Sequence, residues 1–372
     1  MTCNRNGMAL LVVLGVISVL LATGLHLARL TNKSVIAAGH QTDRFAAREM
    51  ALSAIHLAMA LLADDAEKTD MDSIQEGWAD PEKLSRITAQ LGYTRGRISL
   101  EITDELGKIQ ANALLQQFPG STENPDQVRL WENFLDLYIT ENKSRERQDS
   151  VAIINALKDW LDSGDDGAVS GLSGAESAYY AGLLVPYACA DRELNLVSEL
   201  LLVKGVDLDL FSFLTDTPGV DNSESSFATA PVTLGDIFTV YGFSDLHADG
   251  TTYRCPGRIN INTAGIRVLA ALLPRGMDGF AQDMLDYRAQ KSEDGKMFVN
   301  PLDKGWYNRV IDLSAREREI FDRMIRYDSN IFKASSTVQL NQARVTLSAY
   351  IRRERQKKSN QWICRIIQME RS

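Results

Sequence analysis

The stretch MALLVVLGVISVLLATGLHLARL, residues 8–30, decides how the chain begins, because it has the composition of a helix that crosses a membrane. No Lys, Arg, Asp or Glu occurs from Asn6 to Ala28. At 1.5 Å per residue this run spans roughly 35 Å, which exceeds the roughly 30 Å hydrocarbon core of a bilayer. The alternative is a secretory signal, whose apolar region is usually about 7–15 residues and ends at a small-residue cleavage site. The longer run favours a membrane anchor.

The helix is predicted to continue well beyond the apolar run. Apolar residues at helical spacing follow it, namely Phe45, Leu52, Ile55, Met59 and Leu62. No proline interrupts the chain before Pro81. The pattern therefore predicts an amphipathic second half that packs against a soluble domain.

The polar leader MTCNRNG, residues 1–7, and the helix after it resemble a type IV prepilin. The resemblance implies that prepilin peptidase cuts between Gly7 and Met8 on the cytoplasmic face. Most pilin-like subunits carry Glu at the fifth mature position, where this chain has Val12. In that family the Glu pairs with the amino terminus of the preceding subunit, and an unpaired carboxylate in the membrane costs several kcal/mol. Its absence suits a first subunit, at the tip of an assembly.

The remainder of the 372 residues has the composition of a globular protein, with 45% hydrophobic and 24% charged residues. The net charge of −9 argues against a general nucleic-acid-binding protein, which needs a basic face. Alternating apolar residues predict strands around Ile98–Ile102, around 338–350 and in the closing QWICRIIQME. A long helix followed by antiparallel strands is an α+β, pilin-like arrangement, interrupted here by about 190 residues of helical character.

Two parts of this interruption, residues 194–214 and 261–290, have the pattern of a helix-hairpin-helix unit. Ser198 and Thr263 are the predicted N-caps, and Gly205 and Gly276 are predicted to supply backbone of positive φ in the hairpins. Such hairpins can hold a DNA phosphate, and nearby bases are Lys204, Arg258, Arg267 and Arg275. The acidic chain and its anchor instead favour a packing scaffold or protein-binding surface.

The acidic loop, residues 159–180, is a candidate calcium site. It contains Asp159, Asp162, Asp165, Asp166 and Glu176 among several glycines. Calcium takes six to eight oxygen ligands from flexible loops, although the spacing is not that of an EF-hand. We predict that several of Asp162, Asp165, Asp166 and Glu176 converge on one ion. The alternative is a solvated acidic loop.

Two cysteines, Cys189 and Cys255, each precede one of the two hairpin units. In an oxidising compartment they could form a disulfide, and the alternative is two separate buried thiols. The sequence leaves both open. Cys364, on the last predicted strand, is expected to be a small buried apolar residue.

Taken in order along the chain, these features resemble the general secretion pathway protein K family, the large minor pseudopilins of bacterial type II secretion. The motifs that carry the resemblance are the leader, Val12, DELGKIQAN (104–112), DWLD…GAES…YY (159–180), LVSELLLVKGV (196–206), GRININTA (257–264) and the closing strands. The resemblance implies an inner-membrane, single-pass protein with its bulk in the periplasm, smaller minor pseudopilins as partners at a pseudopilus tip, and calcium in the insertion. One departure is Ser177, where the family often has a second acidic residue.

The corresponding domain organisation is a leader, an anchor and a divided pilin-like domain. The predicted segments are 1–7 (leader), 8–30 (transmembrane helix), 31–111 (amphipathic helix and first part of the pilin-like domain), 112–295 (helical insertion) and 296–372 (second part of the pilin-like domain).

The sequence carries no motif typical of an enzyme. The four histidines, His26, His40, His56 and His247, are isolated, and no nucleophile elbow, phosphate loop or HExxH occurs. The sequence therefore favours a structural assembly subunit. The alternatives are a DNA-binding minor pilin that uses the two hairpin units and a membrane-anchored hydrolase that uses Asp162 and Glu176.

Overall fold

The computed structural model describes residues 5–141, 147–163, 169–207, 233–243, 251–356 and 359–371. Its helices are α1 (Arg5–Ala66), α2 (Pro81–Ala89), α3 (Pro125–Glu141), α4 (Arg147–Leu161), α5 (Ser177–Ala181), α6 (Leu234–Ile237), α7 (Ile266–Leu272), α8 (Phe280–Ala289) and α9 (Ala315–Met324). Its strands are β1 (Arg97–Asp104), β2 (Ile109–Gln110), β3 (Gln117–Phe118), β4 (Phe238–Thr239), β5 (Tyr253–Arg254), β6 (Ile259–Asn260), β7 (Ile325–Arg326), β8 (Ile331–Leu340), β9 (Ala343–Arg355) and β10 (Trp362–Arg371).

Helix α1 is continuous over 62 residues, which confirms the predicted extension of the apolar run. Its segment from Leu10 is long and apolar enough to cross a membrane. Two residues of the predicted stripe, Ile55 and Leu62, are fully buried, whereas Phe45 is 65% exposed. The buried face also contains four fully buried alanines, namely Ala47, Ala51, Ala54 and Ala58. Small side chains let the helix approach the sheet closely.

The main sheet is antiparallel with strand order β1-β8-β9-β10. The predicted strands around Ile98–Ile102 and at the C-terminus correspond to β1 and β10, and the predicted blocks near 338–350 lie in the hairpin of β8 and β9. Apolar residues on one face of the sheet form a core with α1, including Leu100, Ile102 and Phe332. The fold is therefore α+β, as predicted.

The chain between β1 and β8 forms a second, larger core. This core extends from Ile109 through α3, α4 and α7 to Ile325. Trp306, Tyr307 and Phe321 are members of it, so the packed part of the insertion continues beyond the predicted boundary at 295.

The two predicted hairpin units differ from each other. In the second unit α7 and α8 flank a turn in which Gly276 has a φ of +81°. In the first, Val197–Leu202 is a 3₁₀ helix before Gly205, whose φ is +84°, and residues 208–214 lie outside the described part of the chain. Both predicted N-caps are wrong. The N-cap of the 3₁₀ helix is Leu196, whose N–H donates to the side chain of Glu199, and the N-cap of α7 is Gly265.

Candidate metal site and the junction between the two cores

Asp159 organises the acidic loop from the end of α4. Its side chain is fully buried. The backbone N–H of Ser170 donates to its Oδ1 at 2.9 Å, and that of Ala175 donates to its Oδ2 at 2.6 Å. Hydrogen bonds from backbone N–H groups to a carboxylate are among the stronger ones in proteins. They hold residues 170–175 against the end of the helix.

Gly174 and Lys204 fix the same part of the loop. A Cβ at Gly174 would lie 2.0 Å from Asp159 Oδ2, so the carboxylate packs directly on this backbone. Lys204 Nζ donates to the carbonyl oxygens of Ser173 and Gly174, each at 3.1 Å. The same ammonium lies 4.7 Å from the centre of the Tyr179 ring. This lysine, one of the bases near the predicted hairpins, therefore holds the acidic loop.

Three carboxylates converge inside this loop. Oxygens of Asp159, Asp162 and Glu176 all lie within 4.8 Å of one another. Asp159 and Glu176 are buried, whereas Asp162 is half-buried. Clustered carboxylate oxygens are ligands of the kind that Ca²⁺ takes.

Of the four predicted ligands, the structure brings Asp162 and Glu176 together, while Asp165 and Asp166 lie outside the described residues. Asp159 belongs to the cluster but was left out of the predicted ligand set. Its position three residues before Asp162, on the same helical face, is the signal that identifies it.

Cys189 adjoins the acidic loop as a thiol. It is buried, and its Sγ donates to the carbonyl oxygen of Asp159 at 3.4 Å. Burial, together with the neighbouring carboxylates of Asp191 and Glu176, raises its pKa to about 12, so the thiol stays protonated. Cys255 is also a free, buried thiol. Burial raises its pKa well above the ordinary value. Both residues are thus free thiols in this structure, and the Cys189–Cys255 disulfide stays a prediction.

The base at the second hairpin is also engaged within the protein. The guanidinium of Arg275 lies 2.8 Å from a carboxylate oxygen of Asp136 and 3.7 Å from one of Glu132. These acids belong to α3. Arg275 therefore ties the turn between α7 and α8 to α3, and Lys204 ties the segment before Gly205 to the acidic loop. Both contacts favour the packing interpretation over phosphate binding.

A model of the type II secretion system protein K family matches residues 107–216. The type II secretion system protein K of Pectobacterium carotovorum subsp. carotovorum is 27% identical over 218 residues, and that of Klebsiella pneumoniae is 28% identical over 218 residues. These matches cover 57% and 58% of this chain, and the chain spans 61% and 62% of the two relatives. The resemblance to the protein K family is confirmed.

A solved structure similar to this chain belongs to the GspK-GspI-GspJ complex of the enterotoxigenic Escherichia coli type 2 secretion system. The superposition has a TM-score of 0.59 at 18% identity and covers 90% of this chain and 99% of that one. At this identity the likeness concerns the fold, and it agrees with an α+β arrangement.

Two of the motifs on which the family resemblance was based, DELGKIQAN (104–112) and GRININTA (257–264), meet between the two cores. The carboxylate of Asp104 accepts hydrogen bonds from the backbone N–H of Leu106 (2.7 Å) and from the side chains of Asn260 (2.9 Å), Thr263 (2.6 Å) and Ser329 (2.6 Å). Thr263, predicted as an N-cap, is thus a partner of Asp104. The first motif ends β1 and the second belongs to the insertion, so these bonds fasten one core to the other.

Arg353 of β9 extends these contacts toward α1. Its guanidinium donates to both carboxylate oxygens of Asp72, at 2.7 and 2.6 Å, and to the carbonyl oxygens of Leu62 and Ser329, at 3.1 and 2.8 Å. The backbone N–H of Ser329 also donates to Asp72, at 2.7 Å. We call these residues the junction network: Asp72, Asp104, Asn260, Thr263, Ser329 and Arg353.

The chain approaches closely where the two motifs cross. A Cβ at Gly107 would lie 2.5 Å from Thr263 Oγ1, which explains the glycine in DELG. Asn112, at the end of the same motif, donates to the carbonyl oxygens of Leu194 and Val240 and accepts from the N–H of Leu194. The motif residues thus hold distant segments of the insertion in place.

Proposed function

We propose that this chain is a minor pseudopilin at the tip of a type II secretion pseudopilus, where it initiates assembly and supports protein export across the outer membrane. The observation that carries the proposal is a pilin-like helix and sheet interrupted, between β1 and β8, by a domain with a core larger than that of the sheet. A subunit with so large an insertion cannot repeat inside a tightly wound filament. The acidic, hairpin-rich insertion then projects outward as a cap.

The apolar start of α1 supports an inner-membrane anchor with the bulk of the chain in the periplasm. Cleavage between Gly7 and Met8 by prepilin peptidase, on the pilin-like leader, is part of the same proposal. Smaller minor pseudopilins are the proposed partners, by analogy with the complex of the similar structure. The role is structural, not enzymatic. The engaged Lys204 and Arg275 give no support to the DNA-binding alternative.

We expect loss of the gene to reduce secretion strongly while the other pseudopilins still insert into the inner membrane. The measurement is the secreted fraction of exoproteins in a deletion strain and in strains that express the wild-type chain or Val12→Glu. Restoring Glu should be neutral or poorly tolerated, since no preceding subunit offers an amine. Immunogold labelling should mark one end of each pseudopilus, and labelling along its length would contradict the tip position.

We also propose that the acidic loop binds calcium through Asp159, Asp162 and Glu176. Without a cation, three carboxylates this close repel one another, partly within a buried site. A ligand that binds only the folded state stabilises it by about 2.7 kcal/mol at one hundred times its dissociation constant. The thermal midpoint of the full chain in detergent should therefore rise on adding calcium and fall again with chelator.

Matched variants separate a bound cation from a general salt effect. Asp162→Asn and Glu176→Gln should each abolish most of the calcium-dependent shift. Asp278→Asn, an exposed acid beside the second hairpin, should keep the whole shift. Melting curves of the wild-type chain that are identical with calcium and with chelator would leave only the solvated-loop interpretation.

A further inference from the structure

Strand β1 has an open edge. It is the first strand of the main sheet, and among the described residues it pairs only with β8, so the edge that faces away from β8 has no partner strand. The N–H of Glu105, just after β1, donates to the carbonyl oxygen of Ile331 in β8 at 3.0 Å. Because backbone groups alternate in direction along an antiparallel strand, the N–H and C=O of Ile98, Leu100 and Ile102 point away from β8.

The contacts just beyond β1 agree with this assignment. The carbonyl oxygen of Leu106, which has the same parity as Leu100 and Ile102, accepts from the N–H of Asn260 at 2.8 Å. The insertion therefore covers the outer edge where β1 ends, and α2 packs against β1 itself. As whole residues Leu100 and Ile102 are only 6% and 5% exposed, so their outward backbone groups lie at the bottom of a groove and not on an open surface.

A groove, which we call the β1 groove, runs along this edge. Residues 99–104 line it as a continuous run, and its volume is about 550 Å³. Apolar residues of α2 and of the segment before it line the groove, namely Ile74, Trp78, Ala79, Pro81 and Leu84. Gly107, Asp236 and Gly265 also line the groove.

The charge of the β1 groove is acidic. Glu101 and Asp236 are exposed, and Asp104 lies at the end of the lining strand. The basic residue that lines the groove is Lys108. Its ammonium already donates to the carboxylate of Glu105 at 2.5 Å and to the carbonyl oxygen of Gly235 at 2.7 Å. A segment that enters the groove therefore meets carboxylates and a lysine that is already engaged.

We propose that a partner protein adds an extended segment, with alternating apolar and basic side chains, to the outer edge of β1. Outward-facing N–H and C=O groups in strand register are satisfied by another strand, and such edges are templates for strand addition. Apolar side chains of the segment would contact Ile74, Ala79 and Pro81, and basic ones would lie near Glu101 and Asp236. A second copy of this chain fits less well, because its net charge is −9. The inference concerns a surface of the pilin-like domain and does not depend on the proposed function.

Two glycines give a matched pair of variants. Gly265 lines the groove, and Gly279 lies outside it. Both are helix N-caps with ordinary negative φ, of −71° and −58°, and both have open space around an added Cβ. Gly265→Phe should fill the β1 groove, whereas Gly279→Phe should leave it unchanged. Glu101→Lys and Glu293→Lys form a second pair, since both glutamates are exposed and only Glu101 lines the groove.

The probe is a labelled eight-residue peptide of alternating Lys and Val, titrated into the full chain in nonionic detergent. Its control has Pro in place of Val, which keeps the charge and removes half of the backbone donors. We expect the Lys-Val peptide to bind and the Lys-Pro peptide to bind at least about tenfold more weakly. Gly265→Phe and Glu101→Lys should each weaken binding by about tenfold or more, whereas Gly279→Phe and Glu293→Lys should change it less than about twofold.

Residue-resolved amide hydrogen exchange identifies the edge directly. The Lys-Val peptide should slow exchange at Leu100 and Ile102, whereas the amides of Ser99 and Thr103, which face β8, should be protected without it. A dissociation constant weaker than about 1 mM, binding that Gly265→Phe leaves intact, or absence of new protection at Leu100 and Ile102 would each overturn the proposal. So would a dimer of the chain alone that Gly265→Phe dissociates, because the occupant would then be a second copy.

Discussion

Replacing Arg353 by Met should lower the free energy of unfolding by about 3–5 kcal/mol, because it removes one partner of a buried ion pair. The side chain of Arg353 is 5% exposed and that of Asp72 is 1% exposed. Burial raises the pKa of Asp72 in spite of the opposing charge of Arg353. Without the guanidinium, Asp72 must stay charged in a poorly solvated position or take up a proton, and the carbonyl oxygens of Leu62 and Ser329 lose a donor.

The measurement is denaturant unfolding of the full chain in detergent at neutral pH. The matched control is Arg365→Met on the neighbouring strand β10. Arg365 is 67% exposed and pairs with Glu354 at 2.9 Å, so its loss should cost less than about 1 kcal/mol. The double variant Arg353→Met, Asp72→Asn should recover part of the stability, since no unpaired charge remains. Equal losses for Arg353→Met and Arg365→Met would contradict the assigned role of the buried pair.

The parts of the fold that follow a simple period could be predicted from the sequence. The charge-free run and the absence of proline before Pro81 were sufficient to predict a continuous α1. Alternation at Ile98, Leu100 and Ile102 was sufficient for β1. The buried face of α1 was predicted in part. Ile55 and Leu62 are buried as predicted, whereas Phe45 is exposed, and large apolar residues alone do not reveal the alanines that contact the sheet. Hydrophobicity indicates burial, but close helix–sheet packing also selects for small volume.

The candidate site was predictable in location and less so in detail. The density of carboxylates located the acidic loop, but Asp159 was distinguished from its neighbours by hydrogen bonds that form only in the folded loop. For Lys204 and Arg275, residue type left phosphate binding open beside the favoured packing scaffold, and the fold places loop carbonyls and α3 carboxylates against them. A charge in a sequence has no assigned partner until the chain is folded.

The junction network was not predictable, because its members are distant in sequence and polar. Asp104 and Ser329 are 225 positions apart, and Asp72 and Arg353 are 281 positions apart. No period of two or 3.6 residues relates such positions. Their motifs marked the family resemblance, and the structure gives the physical reason, which is the fastening of an insertion to the sheet that it interrupts.

The second large effect concerns the pH dependence of this junction. Burial raises the pKa of Asp104 from 3.8 to about 6, although hydrogen bonds from Ser329, Thr263 and the N–H of Leu106 act in the opposite direction. The folded state thus binds the proton more tightly than the unfolded state does. The resulting stabilisation is complete below about pH 4 and is lost as the pH rises through about 6, a change of roughly 3 kcal/mol.

Stability of the full chain should therefore fall between pH 4 and pH 7, and Asp104→Asn should make that fall smaller by roughly 3 kcal/mol. Part of the pH dependence of stability remains in the Asp104→Asn variant because of Asp65. Burial and the charges of Glu76 and Asp72 raise the pKa of Asp65 to about 7. The control is Asp294→Asn, since hydrogen bonds from Ser292 and the N–H of Lys296 lower the pKa of this exposed carboxyl, and its titration lies below the measured range. Denaturant midpoints at several pH values test the prediction. A slope that Asp104→Asn leaves unchanged would mean that Asp104 is ionised throughout, and that its four hydrogen-bond donors outweigh its burial.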